Sequence, residues 1–392
     1  PYPYAKLEIP VGKLSKGEHE IVAGLDNRFD KEKMKLARPF YDFYFFGGFY
    51  RGVKIVEKEP KIFVRTLDYR TGLIEVEVEG GRKFQKTLKD FKLWSPEEPN
   101  MTTIEVEGRK VRFGVRQIEA RDRRLWLNGK ELFLKGVNRH DQSPLGGATV
   151  SETEWIQDLQ LLKDLGGNFI RGAHYQQADR FLELCDEMGV LVWEESLGWG
   201  NGQDYTNSVG DCTDPEFREQ QIKQTREMVR NSFNHPSVII FSFLNEPGST
   251  TKECKSLIDE LIATVKAENS GRLVTFACNM GVNDICNENT DLIAINNYPG
   301  VIPCYPGEPA TLKKKVNESF DEIVASFRER YPDKPIMISE TGYGAVYGWH
   351  DAAASVSTEE FQVEYLTYAF ENFWNNPDII GFAVWQMNDN RT

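Results

Sequence analysis

The chain has 392 residues, 40% hydrophobic and 27% charged, ordinary proportions for a folded protein with room for two or three domains. Lysine and arginine number 47 against 60 aspartates and glutamates, and the formal charge of −13 argues against a nucleic-acid partner. No apolar run of about 18 residues is present, so no membrane-spanning helix is expected.

Residues 1 to about 132 read as short strands divided by Gly, Asn, Asp and Pro. They are AKLEIPV, HEIVAGL, FYDFYFFGGFYRGVKIVEK, KIFVRTL, GLIEVEVEG, TTIEVEG and KVRFGVRQIEA. LIEVEVE alternates with a period of two, as an antiparallel sheet with one wet face does. No charged-then-apolar leader is visible, so no signal peptide is expected, and the compartment (cytoplasmic or secreted) stays open.

After Leu132 apolar runs alternate with amphipathic stretches. Strands are expected at residues 132–138, 168–174, 190–196, 238–246, 273–279, 292–298, 335–342 and 379–387. Helical patterns such as TEWIQDLQLLKDLGG and TEEFQVEYLTYAFENFWNN fill most of the gaps. Eight repeats over about 255 residues are the measure of a TIM barrel. An open doubly wound sheet is the weaker alternative, because no glycine fingerprint follows any strand. The six cysteines make no C-x-x-C pair and, with five histidines, no metal-ligand cluster. Cys185 sits at a core spacing, and His235 precedes a strand at its buried end; both are read as structural. Sequons occur at Asn100, Asn317 and Asn390.

Polar residues crowd the C-terminal ends of the expected strands: Asn138, Arg139 and His140, then Arg171 and His174, Glu194 and Glu195, Asn245 and Glu246. Asn296, Asn297 and Tyr298, Glu340, and Trp385 with Gln386 complete the series. That end of a barrel is where active sites are assembled. VIIFSFLNEPG carries an apolar strand into Glu246, and KPIMISETG does the same into Glu340. Strands four and seven lie on roughly opposite sides of the ring, so these carboxylates face each other, as glycoside hydrolysis requires. The bland alternative for either one alone is a salt bridge to an arginine such as Arg171. Strict alternation would send Asn245 and Glu246 to opposite faces, so a break at Pro247 is expected.

NHPSVIIFSFLNEP, INNYPG, ISETGYGAVYGWHD, FLKGVNRHD and IRGAHY together resemble glycoside hydrolase family 2, on its β-glucuronidase and β-galactosidase branch. The resemblance covers nearly the whole chain. It implies a partial sugar-binding-like, jelly-roll-like β-sandwich over residues 1–58 and a shortened immunoglobulin-like sandwich over 59–120. A catalytic TIM barrel over 121–392 would follow. The implied activity is that of a retaining exo-β-glycosidase, glucuronidase-like first and galactosidase second, with a non-catalytic sugar-binding remnant as the third reading. Glu340 would be the nucleophile and Glu246 the general acid/base. Asn245 would bond the 2-hydroxyl, Tyr298 would hold Glu340, and Arg171 would favour its charged form. His140, Asp141, His174 and Trp385 would line the terminal-sugar subsite, although Trp385 fits a core equally well. No metal or organic cofactor is implied; the partner is a carbohydrate, and homo-oligomerisation is left open. A uronate subsite needs a fixed cation, for which Arg139, Arg171 and Arg391 are the candidates.

The chain ends at Thr392, five residues after the eighth strand, so the barrel is expected to lack its last helix. Parity counted from Trp385 puts Ile379 and Ala383 inside and leaves Ile380, Phe382 and Val384 outward and bare.

Overall fold

The computed structural model describes residues 3–28, 30, 35–36, 41, 43–299 and 309–389. Cys304, Asn390 and Arg391 lie outside the described residues. Before Ile62 the described residues form no helix or strand, which corrects the expected strands of the first 58 residues. Their apolar side chains lack a partner: Ile9, Val22, Val53 and Val56 are all exposed. A strand without a hydrogen-bonded neighbour and a covered face gains too little to order its backbone. Besides Leu36, what this segment buries is aromatic. Tyr4 stacks on Tyr175 with ring centroids 3.6 Å apart, and Phe43 packs 5.1 Å from His140.

Strands β1 (Ile62–Asp68), β2 (Leu73–Val78) and β3 (Lys83–Thr87) make one antiparallel sheet, and β4 (Thr102–Val106) with β5 (Arg109–Phe113) a second. Ile74, Val76 and Val78, the alternate residues of LIEVEV, meet Ile104, Val106, Val111 and Phe113 in one apolar core. The β4–β5 turn has positive φ at Glu107 and Gly108, the conformation of a two-residue primed hairpin. Strands β6 (Ile118–Arg121), β7 (Arg124–Leu127) and β8 (Lys130–Leu132) form a third antiparallel sheet. Its Ile118, Leu125 and Leu127 join Trp94, Leu134, Phe169 and Leu191, closing the N-terminal end of the barrel with apolar surface.

The barrel runs β9 (Leu134–Arg139), α1 (Glu152–Asp164), β10 (Phe169–Gly172), α2 (Asp179–Met188), β11 (Leu191–Trp199), α3 (Pro215–Asn231), β12 (Val238–Asn245) and α4 (Lys252–Ala267). It continues with β13 (Leu273–Val274), β14 (Ala277–Cys278), β15 (Ile293–Asn296), α5 (Pro309–Arg330), β16 (Ile336–Thr341), α6 (Glu359–Asn375) and β17 (Ile379–Val384). The strand order is β13-β12-β11-β10-β9-β17-β16-β15-β14. Its two ends are successive pieces of one strand, so the ring closes on the eight runs read from the sequence, the fifth being split. Helix starts follow local chemistry: Ser151 and Glu154 form a reciprocal capping box, and Asp214 caps α3 ahead of Pro215. Cys185 is fully buried, and His235 pairs with Asp186 at 2.7 Å, so both are structural as expected.

The last strand departs from simple parity. Ile380 and Ala383 join Met337 in the inner cluster, while Ile379 and Phe382 join Ile336 and Ile338 outside. The β16–β17 register slips between Ile336↔Ile379 and Ile338↔Phe382, inserting one extra residue on β17. Nor is the outer face bare. Phe370, Phe373 and Trp374 of α6 and Phe133 surround Phe382, which is 6% exposed. Burial of this size stabilises by roughly 1.5–3 kcal/mol.

Candidate active site

Arg171 on β10 is the hub of the mouth and is wholly buried. Its Nη1 donates to Asn138 Oδ1 at 3.0 Å and to Glu340 Oε1. Nη2 donates to Asn245 Oδ1 at 2.8 Å and to Glu195 Oε2 at 2.9 Å, and Nε reaches Glu195 at 3.2 Å. Its carbon lies 5.0 Å from the centre of the Trp193 ring. Burial, the largest influence, works against the guanidinium charge, but Glu195 and Glu340 more than restore it.

Two local irregularities bring the carboxylates inward. On β16, Ser339 donates to Asn296 at 2.7 Å while the next residue, Glu340, receives Arg171 and the Tyr298 hydroxyl at 2.7 Å. Regular pleating cannot present consecutive side chains to one network; the register slip between Ile338 and Thr341 does so. On β12 the expected break is present: Leu244 and Glu246 take φ of 52° and 48°, and the strand stops at Asn245. The Glu246 amide then donates to Ala277 O at 2.9 Å, while Asn296 Nδ2 bridges Asn245 at 3.1 Å and Glu246 Oε1 at 2.9 Å. Gly342 is needed because a Cβ there would stand 2.2 Å from the Trp385 carbonyl oxygen.

The two glutamates have different neighbours. Burial, reinforced by the charge of Glu340, pushes Glu246 up to about 7 despite Asn296 and Arg171. The Tyr298 phenol is driven upward by burial and by Glu340, so it stays a donor. Burial and then Arg171 hold His174 down to about 3, and burial with His174 keeps His140 well below its ordinary value; both rings are neutral. These rings and Trp385 make one wall: Trp385 stacks on His174 at 5.2 Å and stands edge-on to His140 at 5.3 Å. Nε2 of each histidine is buried without a hydrogen-bond partner.

The expected residues thus assemble as Arg171, Asn245, Glu246, Tyr298 and Glu340, with His140, His174 and Trp385 beside them. Asp141 does not join them. Its Oδ1 accepts from Arg139 and Trp155 and its Oδ2 from Arg51, so it anchors the N-terminal segment to the barrel. Arg139 pairs with Asp141 through Nη1 and with Asp158 through Nε, while its buried Nη2 has no hydrogen-bond partner. Glu195, Asn296 and Asn138 stood out only as polar strand ends, yet they tie the network together. The parity of Glu195 with the inward Trp193 was the available signal. Among the described residues, no group of three or more His, Cys, Asp or Glu could hold a metal ion. A cavity of about 340 Å³ lies elsewhere, bordered by Val64, Phe113, Arg116, Asn234 and Arg272; none of the mouth residues lines it, and the chemistry marks the mouth.

A closed β/α barrel with opposed carboxylates, one gripped by arginine and tyrosine and one half-buried beside an asparagine, defines a glycoside-hydrolase type of protein. The chain belongs to glycosyl hydrolases family 2, whose TIM barrel domain matches residues 118–387. It is 25% identical over 433 aligned residues to the β-glucuronidase of Streptococcus agalactiae serotype V, covering 98% of this chain and 70% of that one. It is 30% identical over 252 residues to the β-glucuronidase of Canis lupus familiaris, covering 64% of this chain and 37% of the relative. The chain therefore spans well under half of that mammalian relative. A β-galacturonidase of Eisenbergiella tayi superposes with a TM-score of 0.77 at 26% identity, over 92% of this chain and 70% of that one.

Proposed function

We propose that the chain is a retaining exo-β-glycosidase acting on terminal β-linked uronides, glucuronides first. The contrast between the two glutamates carries the reading. Glu340, held by a guanidinium and a phenol, is prepared to attack the anomeric carbon as an anion. Glu246, at about 7, keeps a proton to give to the departing glycosidic oxygen. In the second half of the cycle the Glu246 carboxylate takes a proton from water, whose oxygen displaces Glu340 from the sugar. Asn245 Oδ1 is occupied by Arg171 and Asn296, which leaves its amide nitrogen to meet the 2-hydroxyl. The unpartnered Nε2 atoms of His140 and His174, beside Trp385, suit sugar hydroxyls over an apolar platform.

A retaining mechanism requires the shorter, roughly 5–5.5 Å separation of the two carboxyl groups. Of the candidate cations for a uronate, Arg171 is committed to two carboxylates, while Arg139 keeps an unpartnered Nη2 beside its two ion pairs; Arg139 and Arg391 remain the candidates. A galacturonide is the second reading, favoured by the likeness to the Eisenbergiella tayi β-galacturonidase; a galactoside is the third. We assign the two facing sheets of residues 59–120 as the shortened immunoglobulin-like unit. The experiment is kcat/KM on 4-nitrophenyl β-glucuronide, β-galacturonide and β-galactoside. Preference for the neutral galactoside would overturn the uronide assignment, and no turnover of any would favour the sugar-binding remnant.

A further inference from the structure

The segment from Gly200 to Asp214, between β11 and α3, lies against the Glu246 side of the mouth. Its main chain is laced to the broken end of β12: Gly200 N donates to Asn245 O at 2.8 Å and Gly248 N to Asn201 O at 2.8 Å. Gln203 Nε2 donates to the carbonyls of Glu246 and Pro247 at 3.2 and 3.3 Å. Tyr205, 56% exposed, packs edge-on against Trp199 with centroids 5.8 Å apart, and its side chain is a minor hydrogen-bonding influence on the Glu246 carboxyl group. The far end of the segment is stapled. Cys212 is disulfide-bonded to Cys254 in the first turn of α4, with Cα atoms 4.9 Å apart. The chain crosses directly over that bond, since a Cβ on Gly202 would lie 2.3 Å from Cys254 Sγ and 2.7 Å from Cys212 Sγ. None of this touches Glu340, whose hydrogen-bond partners come from Arg171 and Tyr298.

We propose that Tyr205 is a positioning residue for the proton donor Glu246, and that the Cys212–Cys254 disulfide keeps it in place. The acid half of the site is therefore sensitive to thiol reduction and the nucleophile half is not. The inference rests on the assignment of Glu246 as acid/base. In the redox step a dithiol gives two electrons and two protons to the disulfide; the S–S bond breaks, Cys212 and Cys254 become thiols, and the dithiol closes to its own disulfide. The freed segment then holds Tyr205 less well, and the carboxylate form of Glu246 loses a hydrogen bond.

The test is the pH profile of kcat/KM for Tyr205→Phe in the full chain, on one alkyl and one 4-nitrophenyl glycoside. Losing a bond to the ionised form moves the alkaline limb upward by about half to one pH unit. The alkyl glycoside loses about 3- to 10-fold in kcat, the activated one little, and KM is unchanged. Dithiothreitol on the wild type, and the Cys212→Ser/Cys254→Ser double variant, should give the same shift at smaller size, reversed in the wild type by reoxidation. If the double variant does not fold, the dithiothreitol arm decides. An unmoved limb in Tyr205→Phe, or a profile indifferent to reduction, overturns the inference. Glu246→Ala separates the two failures. If it selectively hurts the alkyl glycoside while Tyr205→Phe changes nothing, only the positioning claim falls. If it hurts both glycosides equally, the acid assignment falls first.

Discussion

On one side of the mouth, Glu340 is gripped by Arg171 and Tyr298, and Arg171 is itself fixed by Asn138, Glu195 and Asn245. On the other, Glu246 sits just past the end of a broken strand, bonded by the amide of Asn296 and flanked by an irregular segment. Both are glutamates at the C-terminal rim of one barrel, Glu340 buried and Glu246 half-buried. The first site supplies charge and two strong donors; the second supplies a neutral amide and desolvation, which favours the protonated form. The lesson is that, under the proposed mechanism, chemical role follows from the neighbours, since the residue type is the same.

Glu340→Gln should erase that difference most completely, because an amide cannot form the glycosyl ester. A loss on the order of 10⁴-fold or more in kcat is expected, and steady-state kinetics with any turned-over aryl glycoside measures it. Glu246→Ala should cost about 10²- to 10⁴-fold on poor leaving groups and far less on activated aryl ones. Added azide should restore rate and yield a β-glycosyl azide, which proton NMR identifies. Tyr298→Phe removes one hydrogen bond to a charged group and should lower kcat by about 10- to 10²-fold with little change in KM. Equal sensitivity of poor and activated leaving groups in Glu246→Ala would dissolve the comparison.

The smallest effect is on stability. Glu246 titrates near 7 when folded, above its ordinary 4.5, so the folded state holds this proton more tightly. That contribution is fully present below the ordinary value and is lost as pH rises through 7. Glu246→Gln, which cannot ionise, should therefore gain stability relative to wild type between pH 5 and pH 8, by up to about 3 kcal/mol. Thermal unfolding at both pH values checks the sign. A variant equally stabilised or destabilised at both would show that Glu246 ionises normally.

Much of the barrel was legible because its strands are continuous apolar runs and its helices carry local start signals such as Ser151 with Glu154. The split of the fifth strand around Thr275 and Phe276 was not, since nothing in LVTFACN interrupts the apolar run. The strands expected before Ile62 failed for the opposite reason: their pattern is right, but a sheet is a property of partners. In the site, Glu246 and Glu340 were readable as charges where burial is costly. Glu195 and Asn296 were visible but without a role, because their partners come from other strands. The Ile379–Ile380 inversion shows the limit of counting by twos, which one bulged residue defeats. Asp141 shows another limit: a carboxylate beside the mouth is equally able to hold the wall together from behind.

The division of labour is tested most directly by trapping the covalent intermediate. The wild-type chain is incubated with an activated 2-deoxy-2-fluoro β-glycoside of the preferred sugar, digested, and mapped by mass spectrometry. A glycosyl ester on Glu340, in the peptide containing ISETG, is the expected result. A label on Glu246 would reverse the assigned roles, and the absence of any adduct under conditions of turnover would contradict the double displacement itself.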